Sequence, residues 1–233
     1  MLTTIERAPK PPPELHLQEQ FETPEQQEYA ATLGMWAFMA TEFLLIGVLF
    51  VAYLVCRMRW PEAFRRGSSE MHYWLGFFET AIILTTSFLV TLALRAAKLG
   101  ANRQVILLFA STVILGAGFL SIKGTEYYLE YGEGLVPGYF QTIPPKEAGL
   151  PPAQQHPRPI QERLFMLFYY LLTATHAIHM TVGMVLLSVI AFFTWRGKYS
   201  KGYHTPIELV GIYWHFVDLV WIMVFASVYL LRQ

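Results

Sequence analysis

The sequence holds a single cysteine, Cys56, in 233 residues. A lone thiol closes no intrachain disulfide and supplies no cysteine metal cluster, so a disulfide scaffold and a zinc ribbon are both excluded. Charge is scarce as well: 15% of the residues are charged, and 17 acids offset 17 bases to a formal net charge of +0. With no basic excess there is no electrostatic footprint for nucleic acid, and no nucleic-acid partner is expected. Residues 1–28 contain no apolar run that could serve as the core of a secretory signal. No internal repeat is visible. That counts against a solenoid and against a transporter built from inverted repeats.

What remains is strongly apolar: 54% hydrophobic residues and a mean hydropathy of +0.36. This predicts an all-α polytopic membrane protein, a bundle of five transmembrane helices over residues 29–233. The helices are expected at about 30–56, 72–97, 103–128, 162–195 and 206–231. Residues 1–28, with Pro11-Pro12-Pro13, read as a polar, disordered N-terminal tail. The connection 57–71 is basic and broken by Pro61, and 131–160 is an extended proline-rich loop, too polar to be buried. The basic residues outside the spans divide evenly between the two sides. Arg7, Lys10, Arg95, Lys98, Arg103, Arg196, Lys198 and Lys201 face Arg57, Arg59, Arg65, Arg66, Lys146, Arg158, Arg163 and Arg232, so charge alone assigns no orientation.

Ionisable groups inside the spans carry the information, because a charged side chain at the bilayer centre costs about 2.5–3.5 kcal/mol on insertion scales and needs partners. The last span places Glu208, Gly211, His215, Asp218 and Ile222 on one stripe at 3.6 residues per turn. By depth, Glu42 of the first span, His176 and His179 of the fourth, and His215 and Asp218 of the fifth fall near the midplane. These five are expected to converge in one buried polar cluster. Glu79, Lys123 and Glu126 form a second layer nearer the 131–160 loop, with Lys123 and Glu126 read as an intrahelical pair close to the interface.

The central five admit several roles: a hydrogen-bond cluster fixing helix register, a proton-linked path, a dimetal site, or a haem between a fourth-span histidine and His215. Trp36, Trp60, Trp74 and Trp195 read as interfacial anchors, and Gly116, Gly118 and Gly183 as close helix contacts.

Four stretches resemble subunit III of the haem-copper oxidases, the cytochrome c oxidase subunit 3 family. They are Gly34-Met35-Trp36 through Glu42, then Lys123-Gly124-Thr125-Glu126-Tyr127, then Thr175-His176-Ala177-Ile178-His179 followed by Gly183. The fourth is Tyr213-Trp214-His215-Phe216-Val217-Asp218-Leu219-Val220-Trp221. Together they cover the chain from about residue 30 to its end, and they match the short five-helix form that lacks the first two helices of longer members.

The resemblance implies a non-catalytic membrane subunit of a terminal respiratory oxidase, of the cytochrome c oxidase type. Such a subunit would support the stability and proton uptake of the O2-reducing core. It implies no catalytic, cofactor-binding or metal-binding residue in this chain: haem and copper would belong to subunits I and II. It also implies bound phospholipid and direct packing on subunit I through the first and second spans. Glu42 matches the family's buried helix glutamate. The location would be a prokaryotic cell membrane, with the amino terminus cytoplasmic and the carboxyl terminus outside. Alternatives are an accessory subunit of a ubiquinol oxidase or nitric oxide reductase and, from another class, a proton-coupled transporter.

Overall fold

The structure is a computed structural model and describes residues 18–145, 147–199 and 203–230. Most of the 1–28 tail, the end of the last predicted span, and Arg7, Lys10, Lys146, Lys201 and Arg232 of the basic tally lie outside the described residues. Among the described residues six α-helices follow in order: α1 (Pro24–Arg59), α2 (Pro61–Glu70), α3 (Tyr73–Lys98), α4 (Asn102–Gly132), α5 (Glu162–Trp195) and α6 (Thr205–Phe225). Five of them are long and apolar enough to cross a bilayer; α2 is the exception. The protein is thus an all-α, multi-pass membrane protein.

Local chemistry sets the boundaries. Thr23 caps α1, its Oγ1 accepting from Gln26 N–H at 3.2 Å, and Pro24 occupies the first helical position, where its missing N–H costs nothing. The helix therefore begins inside the segment expected to be a disordered tail. Pro61 ends α1 at Arg59, yet it does so by opening a new helix, so the basic connection is the short amphipathic α2 and not an irregular break. Phe64 of α2 packs edge-on against Phe165 of α5 and Tyr53 of α1, which turns the basic side outward.

Three helices stop on glycines with positive φ: Gly100, Gly134 and Gly197, at 76°, 70° and 77°. Each stop carries the same pair of reverse bonds. At Gly100 these are Ala101 N–H to Ala96 C=O and Gly100 N–H to Ala97 C=O, both 2.9 Å, which satisfy carbonyls the helix end would orphan.

The described residues of the 131–160 loop include 3-10 turns at Pro137–Tyr139 and Pro152–Gln154. Arg158 grips Glu70 at the end of α2 through two bonds, 3.1 and 3.0 Å, and donates to Glu133 C=O at 3.0 Å. One side chain thus ties the loop to α2 and to the end of α4.

Of the five spans, α6 is the central one. Its apolar window is 56% buried, against 22% for α1. It packs on α3 and α5, and small residues set the distance: Leu94 of α3 sits over Gly211, and the Trp214 ring sits over Gly183 of α5. Gly116 likewise lies against Met184 of α5. Gly118 meets nothing within 4 Å, so the expectation of a close contact there is wrong. Past Phe225 the chain widens into a π-turn, Ala226–Leu230. The Tyr53 hydroxyl of α1 donates to Ser227 C=O at 2.6 Å, and Ser68 of α2 donates to Val228 C=O. These side chains give hydrogen-bond partners to carbonyls of the π-turn.

Candidate functional site: polar groups inside the bundle

The most enclosed polar group is a four-residue knot. Glu79 of α3, Lys123 and Glu126 of α4, and Tyr229 of the π-turn are each 2% exposed or less. Lys123 Nζ lies 2.9 Å from Glu79 Oε2, pairs with Glu126, and donates to the Tyr229 hydroxyl at 3.0 Å. Tyr229 in turn donates to both Glu126 oxygens at 2.9 Å. The ammonium also stands 4.8 Å above the Trp221 ring, within cation–π range.

Lys123 and Glu126 do pair on one helix, as expected, but the pair is buried in the interior, where it joins three elements, and is not interfacial. Glu130, one turn beyond Glu126 on the same face, is fully buried as well, and so is Glu162 at the start of α5. Sequence reasoning singled out none of Glu130, Glu162 and Tyr229. The i, i+3, i+7 spacing of Lys123, Glu126 and Glu130 was the available signal.

The five residues assigned to a central cluster do not form one hydrogen-bonded network. Glu42 of α1 and His179 of α5 meet each other: His179 Nε2 lies 2.9 Å from Glu42 Oε2. On the other side of that ring Nδ1 lies 2.8 Å from Thr175 C=O, and a carbonyl only accepts, so Nδ1 carries a hydrogen. The Glu42–His179 contact therefore holds one proton, borne either by the carboxyl or by Nε2. Both side chains are only partly covered, at 17% and 16% exposed.

His215 turns instead to α3, where its Nδ1 lies 2.9 Å from Ser87 Oγ and its Nε2 lies 3.5 Å from Thr91 Oγ1. Asp218, buried, lies beside Ser87 on the same stripe. The partner opposite the α6 stripe is thus α3: Ser87, Thr91, Leu94 and Lys98 meet Asp218, His215, Gly211 and Glu208, the last as an ion pair of 2.9 Å. His176 joins neither group. It is buried in an aromatic box, 5.5 Å from the Phe119 ring and 5.0 Å from that of Trp221.

Angle explains the split. Residues three apart on a helix differ by about 60° in direction. On α5 that is enough to aim His179 at α1 and His176 between α4 and α6. Among the described residues no three His, Cys, Asp or Glu side chains are placed to share a metal ion, so the dimetal arrangement lacks its ligand set there. Trp36, Trp74 and Trp195 stand well out from the bundle, as anchors should, while Trp60 is half-buried.

Comparison with known proteins gives a consistent picture. Residues 154–232 match the family model described as cytochrome c oxidase subunit III. The chain is 28% identical over 205 residues to cytochrome c oxidase subunit 3 of Thermostichus vulcanus, covering 86% of this chain and 87% of that protein. It is 30% identical over 200 residues to cytochrome c oxidase subunit 3 of a Synechocystis species, covering 85% and 74%. It is also 25% identical over 198 residues to cytochrome bo(3) ubiquinol oxidase subunit 3 of Pseudomonas aeruginosa, covering 85% and 83%.

Proposed function

Since the chain belongs to the cytochrome c oxidase subunit 3 family, we propose that it is the subunit that keeps a proton-translocating terminal oxidase intact and supplied with protons during sustained turnover. As an oxidase subunit III it is non-catalytic and sits in a complex with other oxidase subunits. The finer reading is ours. The chain packs directly on subunit I, with subunit II in the same complex; haem and copper reside in those partners, and phospholipid fills part of the boundary. The membrane is that of a prokaryotic cell, with the amino terminus cytoplasmic and the carboxyl terminus outside. Cytochrome c is the electron donor.

The observation that supports a proton-linked part is the Glu42–His179 contact. It joins two titratable groups through one shared proton, near mid-depth, on a side of the bundle that this chain leaves partly open. Such carboxylate–imidazole pairs inside membranes are suited to passing protons. Of the other motif residues, Lys123, Glu126 and His215 join helices to one another, which is the work of a structural subunit.

Glu42→Gln tests the reading in the purified complex. The amide keeps a donor for His179 Nε2 but cannot ionise. The variant complex should assemble and start at the normal rate, then lose activity or proton uptake over many turnovers. A course identical to wild type would leave the pair a purely structural contact. A second reading, a quinol oxidase subunit, follows from the similarity to the Pseudomonas protein. Reduced cytochrome c and a reduced quinol, offered separately to the complex, discriminate the two by which one drives O2 uptake.

A further inference from the structure

The outward surface of α6 is a strip about one helix face wide. On one flank lies α3, with Leu94 over Gly211 and with Ser87 and Thr91 at His215. On the other lies α1, where Phe38 stacks on Tyr213 with centroids 6.3 Å apart. Behind is α5, which receives Trp214 at Gly183. Along the strip run Ile212, Phe216, Leu219 and Met223, spaced i, i+4, i+7 and i+11; Ile212 and Phe216 are partly buried against the core, while Leu219 is 54% and Met223 40% exposed. The strip is about 16 Å long by helical rise, close to half the hydrocarbon thickness.

His215 stands at the α3 edge of this strip, about 15 Å along α6 from Thr205, so it lies at mid-bilayer depth. Its Nδ1 is held by Ser87, but the only hydrogen-bonding atom that Nε2 meets among the described residues is Thr91 Oγ1, at the outer limit of 3.5 Å. The Thr91 hydroxyl donates to Ser87 C=O at 3.0 Å, so toward Nε2 it can only accept, and at 3.5 Å it does so weakly. Acyl chains offer no hydrogen bond. Ionisable side chains at this depth almost always face a helix-bundle interior or a water-filled cavity. His215 is only half-buried by this chain, which leaves room for an enclosing surface from another polypeptide.

We propose that the α6 strip between α1 and α3 seats one transmembrane helix of a partner oxidase subunit, which offers a hydrogen-bonding side chain to His215. The proposal rests on membership of a multisubunit oxidase and specifies where and how the neighbour binds. The apolar residues of the strip supply packing surface, and His215 supplies register, since a single polar contact in hydrocarbon fixes how far one helix slides along another.

The test uses the assembled complex. A photo-reactive benzoylphenylalanine is placed at Leu219, and for comparison at Ile114 on α4, which is 71% exposed. Irradiation should join position 219 to a different subunit, while position 114 gives lipid adducts. Lipid adducts alone at 219, or a joined second copy of this chain, would overturn the proposal. In parallel, His215→Leu should lower retention of the subunit through a detergent wash about tenfold, the size of one interhelical hydrogen bond in a membrane, and His215→Gln should restore most of it. Retention of the Leu variant equal to wild type, or a Gln variant no better than Leu, counts against the hydrogen bond. Failure of the chain to copurify with any other subunit would instead refute the oxidase reading itself.

Discussion

Lys123→Met is the sharpest perturbation the structure offers. The substitution removes the one ammonium between Glu79 and Glu126 and keeps most of the side-chain volume. Glu126 retains the Tyr229 hydroxyl, which donates to both its oxygens at 2.9 Å. Glu79 retains no ion-pair partner among the described residues, because its one ion pair there is with Lys123 at 2.9 Å. Breaking a buried pair from one side costs about 3–5 kcal/mol, chiefly for the charge left behind. For a chain of this size that corresponds to a fall of roughly 6–20 °C in the midpoint of thermal unfolding. The contrasting variant is Glu79→Met, Lys123→Met and Glu126→Gln together, which removes the charges from both sides and leaves Tyr229 an acceptor. Replacing a whole buried ion group by groups of similar volume is often neutral or stabilising, so the triple variant should unfold near the wild-type temperature. Loss of helical circular dichroism of the purified subunit in detergent measures all three. The reasoning fails if Lys123→Met unfolds with the wild type, or if the triple variant falls below the single one.

Other changes should scale with burial and contact. Lys98→Met breaks an ion pair whose side chains are 61% and 30% exposed, and should cost less than about 1 kcal/mol in the same melt. Gly183→Ala would set a methyl 3.0 Å from the Trp214 ring, so it should destabilise by about 1–3 kcal/mol, while Gly118→Ala, with open space around it, should leave the midpoint unchanged. Arg158→Ala removes the grip on Glu70 and Glu133, and should speed proteolytic cleavage within 131–160 several-fold without altering the helical signal.

How much of this was legible in the sequence depended on the kind of signal. Long apolar runs bounded by charge fix five spans because hydrocarbon leaves the backbone no other way to satisfy itself. Depth could be read too: Glu42 and His179 do meet, and Glu79, Lys123 and Glu126 do form one group. Azimuth could not. Which neighbour a side chain meets depends on how helices are arranged around one another, and spacing within one helix is silent on that. This is why His215 was assigned to α1 and α5 and is found against α3.

Neutral hydroxyls were a second gap. Ser87 and Tyr229 complete the polar sites of His215 and Lys123, yet neither stands out in a search for buried carboxylates, histidines and lysines. The stops at Gly100, Gly134 and Gly197 were readable, since a glycine just past an apolar helix is a known terminator. They would have separated α4 from the loop that follows it.

The π-turn has a consequence for the order in which the protein can be made. Tyr53 donates to the carbonyl of Ser227, 174 positions later, and Ser68 to that of Val228, 160 positions later. Both donors leave the ribosome long before their acceptors. At about 5–20 residues per second, the interval is roughly 10–35 s. During that time the first helix and its amphipathic continuation have no native partner for these hydroxyls. A nascent chain stalled before Ser227 can therefore insert its early spans but cannot lock them, and the π-turn serves as the latch that closes the bundle.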